Sequence, residues 1–291
     1  MTIWNLGSIN QDIVYSVPHI PAPGETLAST KRDVFMGGKG ANMSVAAARA
    51  GAQVKHIGAV GVDGRWAVDR LTEYGVDTRF IAQVDTHTAQ AIIAVDPQGE
   101  NAIILDPGAN DAIPINLMRS AIGSAERGDW LICQNETCLQ VETAKLAHEL
   151  GLKVAYAAAP FDADQVRAVL PYLDFLIMNA VEMEQLFQST GLNVADLGVE
   201  TVIVTTGGDG GFVFLQQNDW DAQEYQAIPV DAVDTTGAGD TFTGYVLAGL
   251  DRGLPLWDAV DLATRAGALM VMRHGTADVI PDLKEVRAFK P

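Results

Sequence analysis

Cysteine is scarce: the 291 residues hold two, Cys133 and Cys138. A disulfide scaffold needs more, and their spacing does not match a CxxC redox or zinc pair. Basic residues are also few. The 19 Lys and Arg stand against 37 Asp and Glu, a formal charge of −18. That balance excludes wrapping nucleic acid or lying on an anionic membrane as the main role. It also means that any phosphate ligand must be drawn by local backbone donors. Long apolar runs are missing, and no stretch reaches the roughly 18 residues that suggest a membrane-spanning helix. The first basic residue is Lys31, so the basic start of a secretory signal is missing too. These absences set the expectation of a cytoplasmic protein with neither a nucleic-acid nor a membrane partner. What is present is a core: 48% of residues are hydrophobic and 19% charged. Wholesale disorder is excluded, and the length suits one large domain or two modest ones.

Strand-like runs at 2–9, 53–60, 129–134, 153–158, 174–178 and 201–205 alternate with helix-like runs. The helices are expected at 40–50, 64–74, 139–150, 180–188, 238–250 and 256–272, with Asp63 as a cap and Gly51 as a stop. Such alternation predicts a parallel sheet covered by helices on both faces. Two segments, 11–36 and 88–105, break the rhythm; the second reads as a hairpin. Together they predict a small antiparallel sheet outside the main body, either a lid over a cleft or an ordinary edge hairpin. No internal repeat, low-complexity linker or charge block divides the chain.

The strongest segment is Asp234-Thr-Thr-Gly-Ala-Gly-Asp240. Gly237 and Gly239 let the backbone approach a ligand closely, and a helix starting near Ala238 points free N–H groups back at the loop. That is an anion site, with Asp240 placed to accept a proton from an attacking hydroxyl. The plainer reading has Asp240 complementing the helix dipole and the glycines turning the chain. The segment Gly37-Gly-Lys-Gly-Ala-Asn42 offers a second close approach, with Lys39 and Asn42 suited to sugar hydroxyls, or else a glycine turn with a solvated lysine. It is not a P-loop, because the four-residue spacer and the following Ser or Thr are missing.

Asn10 and Asp12 follow the first strand, where ligands of open α/β sheets lie, and suit vicinal hydroxyls. Both are also ordinary turn residues, and Glu136 carries the same two readings. Asn179 and Glu182 have capping-box spacing, or place side chains near magnesium and its waters. Thr205, Gly207 and Gly210 belong to a glycine-rich loop that either lines a nucleotide or turns one strand into the next.

These segments resemble the ribokinase-like, or PfkB, carbohydrate kinase family. Gly37, Gly38, Gly40, Asn42, Ser44, Gly51 and Gly61 match its amino-terminal signature, and DTTGAGDTFTG at 234–244 matches its carboxyl-terminal one. The likeness runs from about residue 3 to residue 281. It implies a Rossmann-type α/β sandwich, one kinase domain over 1–291, with a mostly parallel central sheet. The 11–36 and 88–105 segments would form a small β-sheet lid, often a dimer interface. It implies transfer of the γ-phosphoryl group of ATP to the primary hydroxyl of a furanose sugar, ribose first.

Asp240 is then the base, and Gly237, Ala238 and Gly239 the anion hole. Asn10, Asp12, Gly38, Lys39, Asn42 and Glu136 contact the sugar. Asn179, Thr205, Gly207, Gly210, Gly237 and Gly239 serve the nucleotide, and Asn179 with Glu182 orders magnesium through water. Potassium would be held mainly by backbone oxygens of Asp234, Thr236, Met270, Arg273, Gly275 and Val279. The resemblance implies a serine hydroxyl at the last position, which Val279 cannot supply, so weak potassium activation is expected. A kinase for a sugar phosphate would need a cation that the strand TAQAIIAVD lacks, though Lys31 and Arg32 remain candidates. A nucleoside kinase would need aromatic faces, for which Tyr15 and Phe35 are available. A non-catalytic sensor should have lost the base or the glycines, and a dehydrogenase would need GxGxxG after its first strand.

Overall fold

The computed structural model describes residues 1–290. Its central strands are apolar on both faces, and successive side chains leave in opposite directions. In β1 (Thr2–Leu6), Ile3 enters one core while Trp4 and Leu6 enter another. In β8 (Trp130–Gln134), Trp130 and Ile132 join the first core, and Leu131 and Cys133 the second. β9 (Lys153–Ala157) divides in the same way. Such strands need a helical layer on each side. One layer holds α1 (Lys39–Arg49), α2 (Arg65–Glu73), α7 (Ala238–Asp251), α8 (Leu256–Val271) and α9 (Leu283–Ala288). The other holds α3 (Ile115–Ile122), α4 (Gln140–Leu150), α5 (Ala163–Val169) and α6 (Ala180–Thr190).

The sheet has nine strands in the order β13-β12-β11-β10-β9-β8-β1-β4-β5. The remaining members are β4 (Gln53–Val60), β5 (Asp77–Gln83), β10 (Phe175–Asn179), β11 (Thr201–Thr205), β12 (Gly211–Leu215) and β13 (Gln223–Tyr225). Every pair from β5 through β11 is parallel, and the last two strands add on antiparallel. The mostly parallel sandwich expected from the alternation is therefore present.

Two local expectations change. The first strand stops at Leu6, not residue 9, because the chain must pass Gly7 under α1. A Cβ added at Gly7 would lie 2.5 Å from the Gly40 Cα. Asp63 does not cap α2; its Oδ1 accepts from the Thr88 amide at 2.9 Å and the Thr88 hydroxyl at 2.8 Å.

A second, four-stranded sheet stands apart, in the order β3-β2-β6-β7. It comprises β2 (Asn10–Ser16), β3 (Lys31–Gly37), β6 (Ala89–Val95) and β7 (Asn101–Asp106). It is not wholly antiparallel, since β2 and β6 pair in parallel. The reason is topological: β2 follows β1 and β6 follows β5, two strands that leave the main sheet in the same direction. Asn10 and Asp12 accordingly sit in a strand, on one face, and not in a turn.

Candidate active site

The carboxyl ends of β1, β8, β10 and β11 meet the N-termini of α1 and α7, the usual ligand position in an open α/β sheet. α1 starts from Gly38, whose φ of 93° is left-handed. A Cβ there would press on the Ser8 carbonyl at 2.8 Å and the Asn10 amide at 3.0 Å. The first turn of α1 has no side-chain cap at Gly38. Instead Glu136 accepts from the Lys39 amide at 3.0 Å and from the Ser8 hydroxyl. The Ala41 amide donates to the Ser8 carbonyl at 2.9 Å. Glu136 thus sits in the turn after β8, as its plainer reading had it, but its carboxylate is not free; it anchors the helix that carries Lys39 and Asn42.

Asn42 donates to the Asp240 carboxylate at 2.9 Å, joining residues 198 positions apart. The Asn42 Oδ1 is buried without a partner. Asn10 accepts from Asn110 at 2.8 Å, and Asp12 lies against Gly37. The side chains and loops expected to meet a sugar therefore converge. Asn110 and Ser8 were not foreseen; each acts through a contact made far along the chain.

α7 begins at Gly237, in the left-handed conformation with no side-chain cap. Beside it lies a cavity of about 460 Å³ lined by Thr205, Gly207, Gly210, Ala238 and Gly239. Tyr225 and Phe242 line it too, stacked at 5.6 Å with planes 11° apart. The remaining lining is mostly apolar, with Ile228, Pro229, Val230 and Val271 beside Thr235 and Thr264. Asn179 and Gly237, expected here, are not among the lining residues. The glycine loop after β11 is both things at once, a turn into β12 and a wall of this cavity.

Asn179 and Glu182 form a complete capping box for α6. Glu182 accepts from the Asn179 amide through one oxygen, which leaves one oxygen uncommitted. That suits a contact to a metal's water better than direct chelation. The loop at Asp234 lies against the chain after α8. Asp234 accepts from the Thr236 amide at 2.9 Å and the Gly275 amide at 3.2 Å. Among the described residues the carbonyls of Thr236, Arg273 and Gly275 accept no hydrogen bond, a donor set that fits a monovalent cation. The Met270 and Val279 carbonyls each accept from Arg273, the latter from its guanidinium at 3.2 Å.

The charges are crowded. Burial pushes the Asp12 carboxyl up to about 7, with Glu136 and Asp240 adding repulsion and Lys39 opposing. Burial also raises Asp240, Glu136 and Glu182. The Lys39 ammonium is the cation they share, held above its usual range chiefly by Asp240.

A pH dependence follows for Asp12. Its unfolded pKa is 3.8. Between that value and the native one, the folded state keeps a proton that the unfolded state has lost. Stability therefore falls as pH rises through this window, by at most ~1.4 kcal/mol per unit. Asp12→Asn removes this term. In urea denaturation without ligand, the variant should exceed the parent by about 1–3 kcal/mol near pH 8, the gap shrinking near pH 5. An equal gap at both pH values would mean that Asp12 is ionised throughout.

The chain matches the model of the pfkB family carbohydrate kinases over residues 3–283. It is 35% identical to the ribokinase of Haemophilus influenzae over 308 aligned positions, covering 99% of this chain and 98% of that one. Among solved structures it resembles the ribokinase of Thermotoga maritima, with a TM-score of 0.88, 31% identity and coverage of 99% and 98%. It also resembles the Arabidopsis thaliana ribokinase complexed with ribose and ATP, with a TM-score of 0.84, 26% identity and coverage of 98% and 97%. With the signatures, the fold and the convergent carboxylates in agreement, the chain belongs to the pfkB family of carbohydrate kinases.

Proposed function

We propose that this protein transfers the γ-phosphoryl group of ATP to the primary hydroxyl of ribose, giving ribose 5-phosphate. The observation that carries this reading is the position of Asp240. It bonds to Asn42 on the sugar side, while Ala238 and Gly239 just before it line the cavity beside α7. A buried base thus stands between two binding regions, as transfer from one ligand to another requires.

In this reading Asn10, Asp12, Gly38, Lys39, Asn42 and Glu136 hold the sugar so that its primary hydroxyl faces Asp240. Asp240, raised by burial, takes the hydroxyl proton as the oxygen attacks. The amides of Gly237 and Gly239, which have no partner among the described residues, meet charge that develops on the transferred group, whereas the Ala238 amide, also expected there, is engaged by the Thr235 carbonyl at 3.2 Å. The stacked Tyr225 and Phe242, with Thr205, Gly207 and Gly210, bound the nucleotide. Asn179 and Glu182 would hold magnesium through water, and the metal when bound neutralises phosphate charge. A phosphorylation screen over free sugars, sugar phosphates and nucleosides tests the acceptor. Ribose should give the highest kcat/KM; a sugar phosphate or nucleoside ahead of it would refute the assignment.

Potassium would sit on the carbonyls of Thr236, Arg273 and Gly275 and on Asp234, and stiffen the Gly237–Gly239 loop. Val279 supplies no hydroxyl, so turnover should rise only modestly, about two- to fivefold, along a potassium titration in sodium-free buffer. A flat titration would leave the site without a catalytic effect, and Val279→Ser is the variant to follow.

The small sheet acts as a lid in this reading, and as a dimer interface. Ile104 of β7 is 67% exposed, and Ile92 and Val34, which share its face through the strand register, are 40% and 39% exposed. That face needs a partner, and a second copy supplies one with two-fold symmetry. Light scattering at micromolar concentration should give twice the 31.0 kDa chain mass, and Ile104→Glu should halve it; a monomeric parent would contradict the interface. No helix among the described residues is long and apolar enough to cross a membrane. Cys133 and Cys138 are both free thiols, which accords with a reducing, cytoplasmic setting.

A further inference from the structure

Beneath the sugar region lies a buried polar chain that the proposed chemistry does not use. Gln134 Nε2 donates to Asn5 Oδ1 at 2.9 Å, and Asn5 Nδ2 donates to Ser44 Oγ at 2.8 Å. Ser44 Oγ meets His56 Nδ1 at 2.9 Å, and His56 Nε2 meets the Gly7 carbonyl at 3.0 Å. All four side chains are at most 1% exposed. They come from β1, β8, α1 and β4, so the chain ties three adjacent strands to the helix above them.

The donor order follows from elementary rules. A carbonyl only accepts, so His56 Nε2 must carry a proton toward Gly7. An imidazole that is neutral then has Nδ1 free to accept from the Ser44 hydroxyl. Ser44 Oγ in turn accepts from Asn5, whose oxygen accepts from Gln134. Each step has one permitted direction. A second proton on the ring would face the Ser44 hydroxyl and leave that hydroxyl's own proton without an acceptor. Full burial agrees, holding the His56 pKa down to about 4.

The polar chain ends at a decisive place. The Gly7 peptide is followed by Ser8, which bonds to Glu136, and Glu136 holds the Lys39 amide. Asn5 also donates to the Gly40 carbonyl at 2.8 Å. Here backbone lies on backbone, since a Cβ at Gly40 would stand 2.3 Å from the Gly7 Cα. No side chain at Gly7 or Gly40 fixes this crossing; the polar chain holds it from below, together with the Gly7–Ile57 and Ala41–Ser8 backbone bonds.

We propose that the Gln134–Asn5–Ser44–His56 chain, ordered by neutral Nε2–H His56, sets the position of the Gly7–Ser8 peptide and through it the sugar-facing Glu136, Lys39 and Asn42. His56 is a positioning residue, and this inference rests on the reading that those residues hold the acceptor. Nitrogen-15 NMR of the labelled enzyme near neutral pH should show His56 as the neutral Nε2–H tautomer. A protonated ring or the Nδ1–H form overturns the proposal.

Two variants divide the ring's roles. In His56→Gln the amide can reach the Gly7 carbonyl; in His56→Asn it reaches only Ser44. The acceptor KM should rise about tenfold in His56→Asn and about threefold or less in His56→Gln. kcat and the ATP KM should stay within about twofold in both. Equal rises in the two variants, or kcat and ATP KM moving with the acceptor KM, overturn the proposal. Should His56→Asn fold poorly, Gly58→Ala presses on the same bond from β4, its Cβ 2.9 Å from His56 Nε2 and 3.1 Å from the Gly7 oxygen. It should raise the acceptor KM selectively, and no rise overturns the proposal. Glu136→Gln serves as the reference. If it leaves the acceptor KM unchanged, the site reading itself fails; if it raises that KM while His56→Asn does not, the positioning chain alone fails.

Discussion

Asp240→Asn should fold like the parent, bind both substrates and lose about 10²–10⁴-fold in turnover, the range that a general base contributes. The shape of the side chain is kept, and an amide oxygen can still accept from Asn42, the bond that spans 2.9 Å. What is lost is the capacity to take a proton. The Asp240 carboxylate is well placed to do so, being 7% exposed, raised by burial, and opposed by Lys39 and Asn42. Its proton affinity is therefore above that of a surface aspartate, yet it remains beside a cation. Steady-state kinetics with an acceptor-binding titration checks the prediction. Near-parental turnover with intact binding would remove Asp240 from the role of base.

Near pH 8, where its carboxyl is mostly ionised, Asp12→Ala should raise the acceptor KM about 10–150-fold and leave the ATP KM nearly unchanged, because hydrogen bonds to a charged group are worth roughly 1.5–3 kcal/mol. Gly37→Ala provides an independent approach to the same carboxylate. A Cβ at Gly37 would lie 1.9 Å from Asp12 Oδ2, so the carboxylate must move although no polar atom is removed. Both variants should weaken the acceptor selectively. An equal loss for ATP would show that Asp12 is not in the acceptor pocket.

The sequence made the buried centre of the molecule legible and left its margins obscure. β8, β9, β10 and β11 are continuous apolar runs between helix signals, so their alternation survives any local ambiguity. β5 is an edge strand of half-buried residues, DTRFIAQ, with no clean alternation. α3, α5 and α9 hold 8, 7 and 6 residues, too few to display a helical period. The lid hairpin was legible from PQGE between apolar runs, and 11–36 was expected in the same sheet, but the parallel direction of the β2–β6 pair was not, because pairing direction depends on where β1 and β5 lie in the main sheet.

The site divides along the same line. Its glycines were legible because close approach leaves a compositional trace: Gly38 and Gly237 are left-handed, and their neighbours leave little room. The capping box at Asn179 and Glu182 was legible because it is local. Ser8 to Glu136 and Asn10 to Asn110 are contacts between residues 128 and 100 positions apart, and nothing local announces them. The role of Glu136 as a helix anchor was hidden for that reason. The cavity wall at Ile228, Pro229 and Val230 comes from irregular chain with no motif.

The central claim is that this buried carboxylate directs phosphoryl transfer to one hydroxyl of the sugar. Phosphorus NMR of the purified enzyme with ribose, ATP and magnesium tests it most directly. Ribose 5-phosphate and ADP should appear in equal amounts, with no free phosphate. Phosphate at another position of the sugar, or ATP hydrolysis with ribose untouched, would contradict the claim.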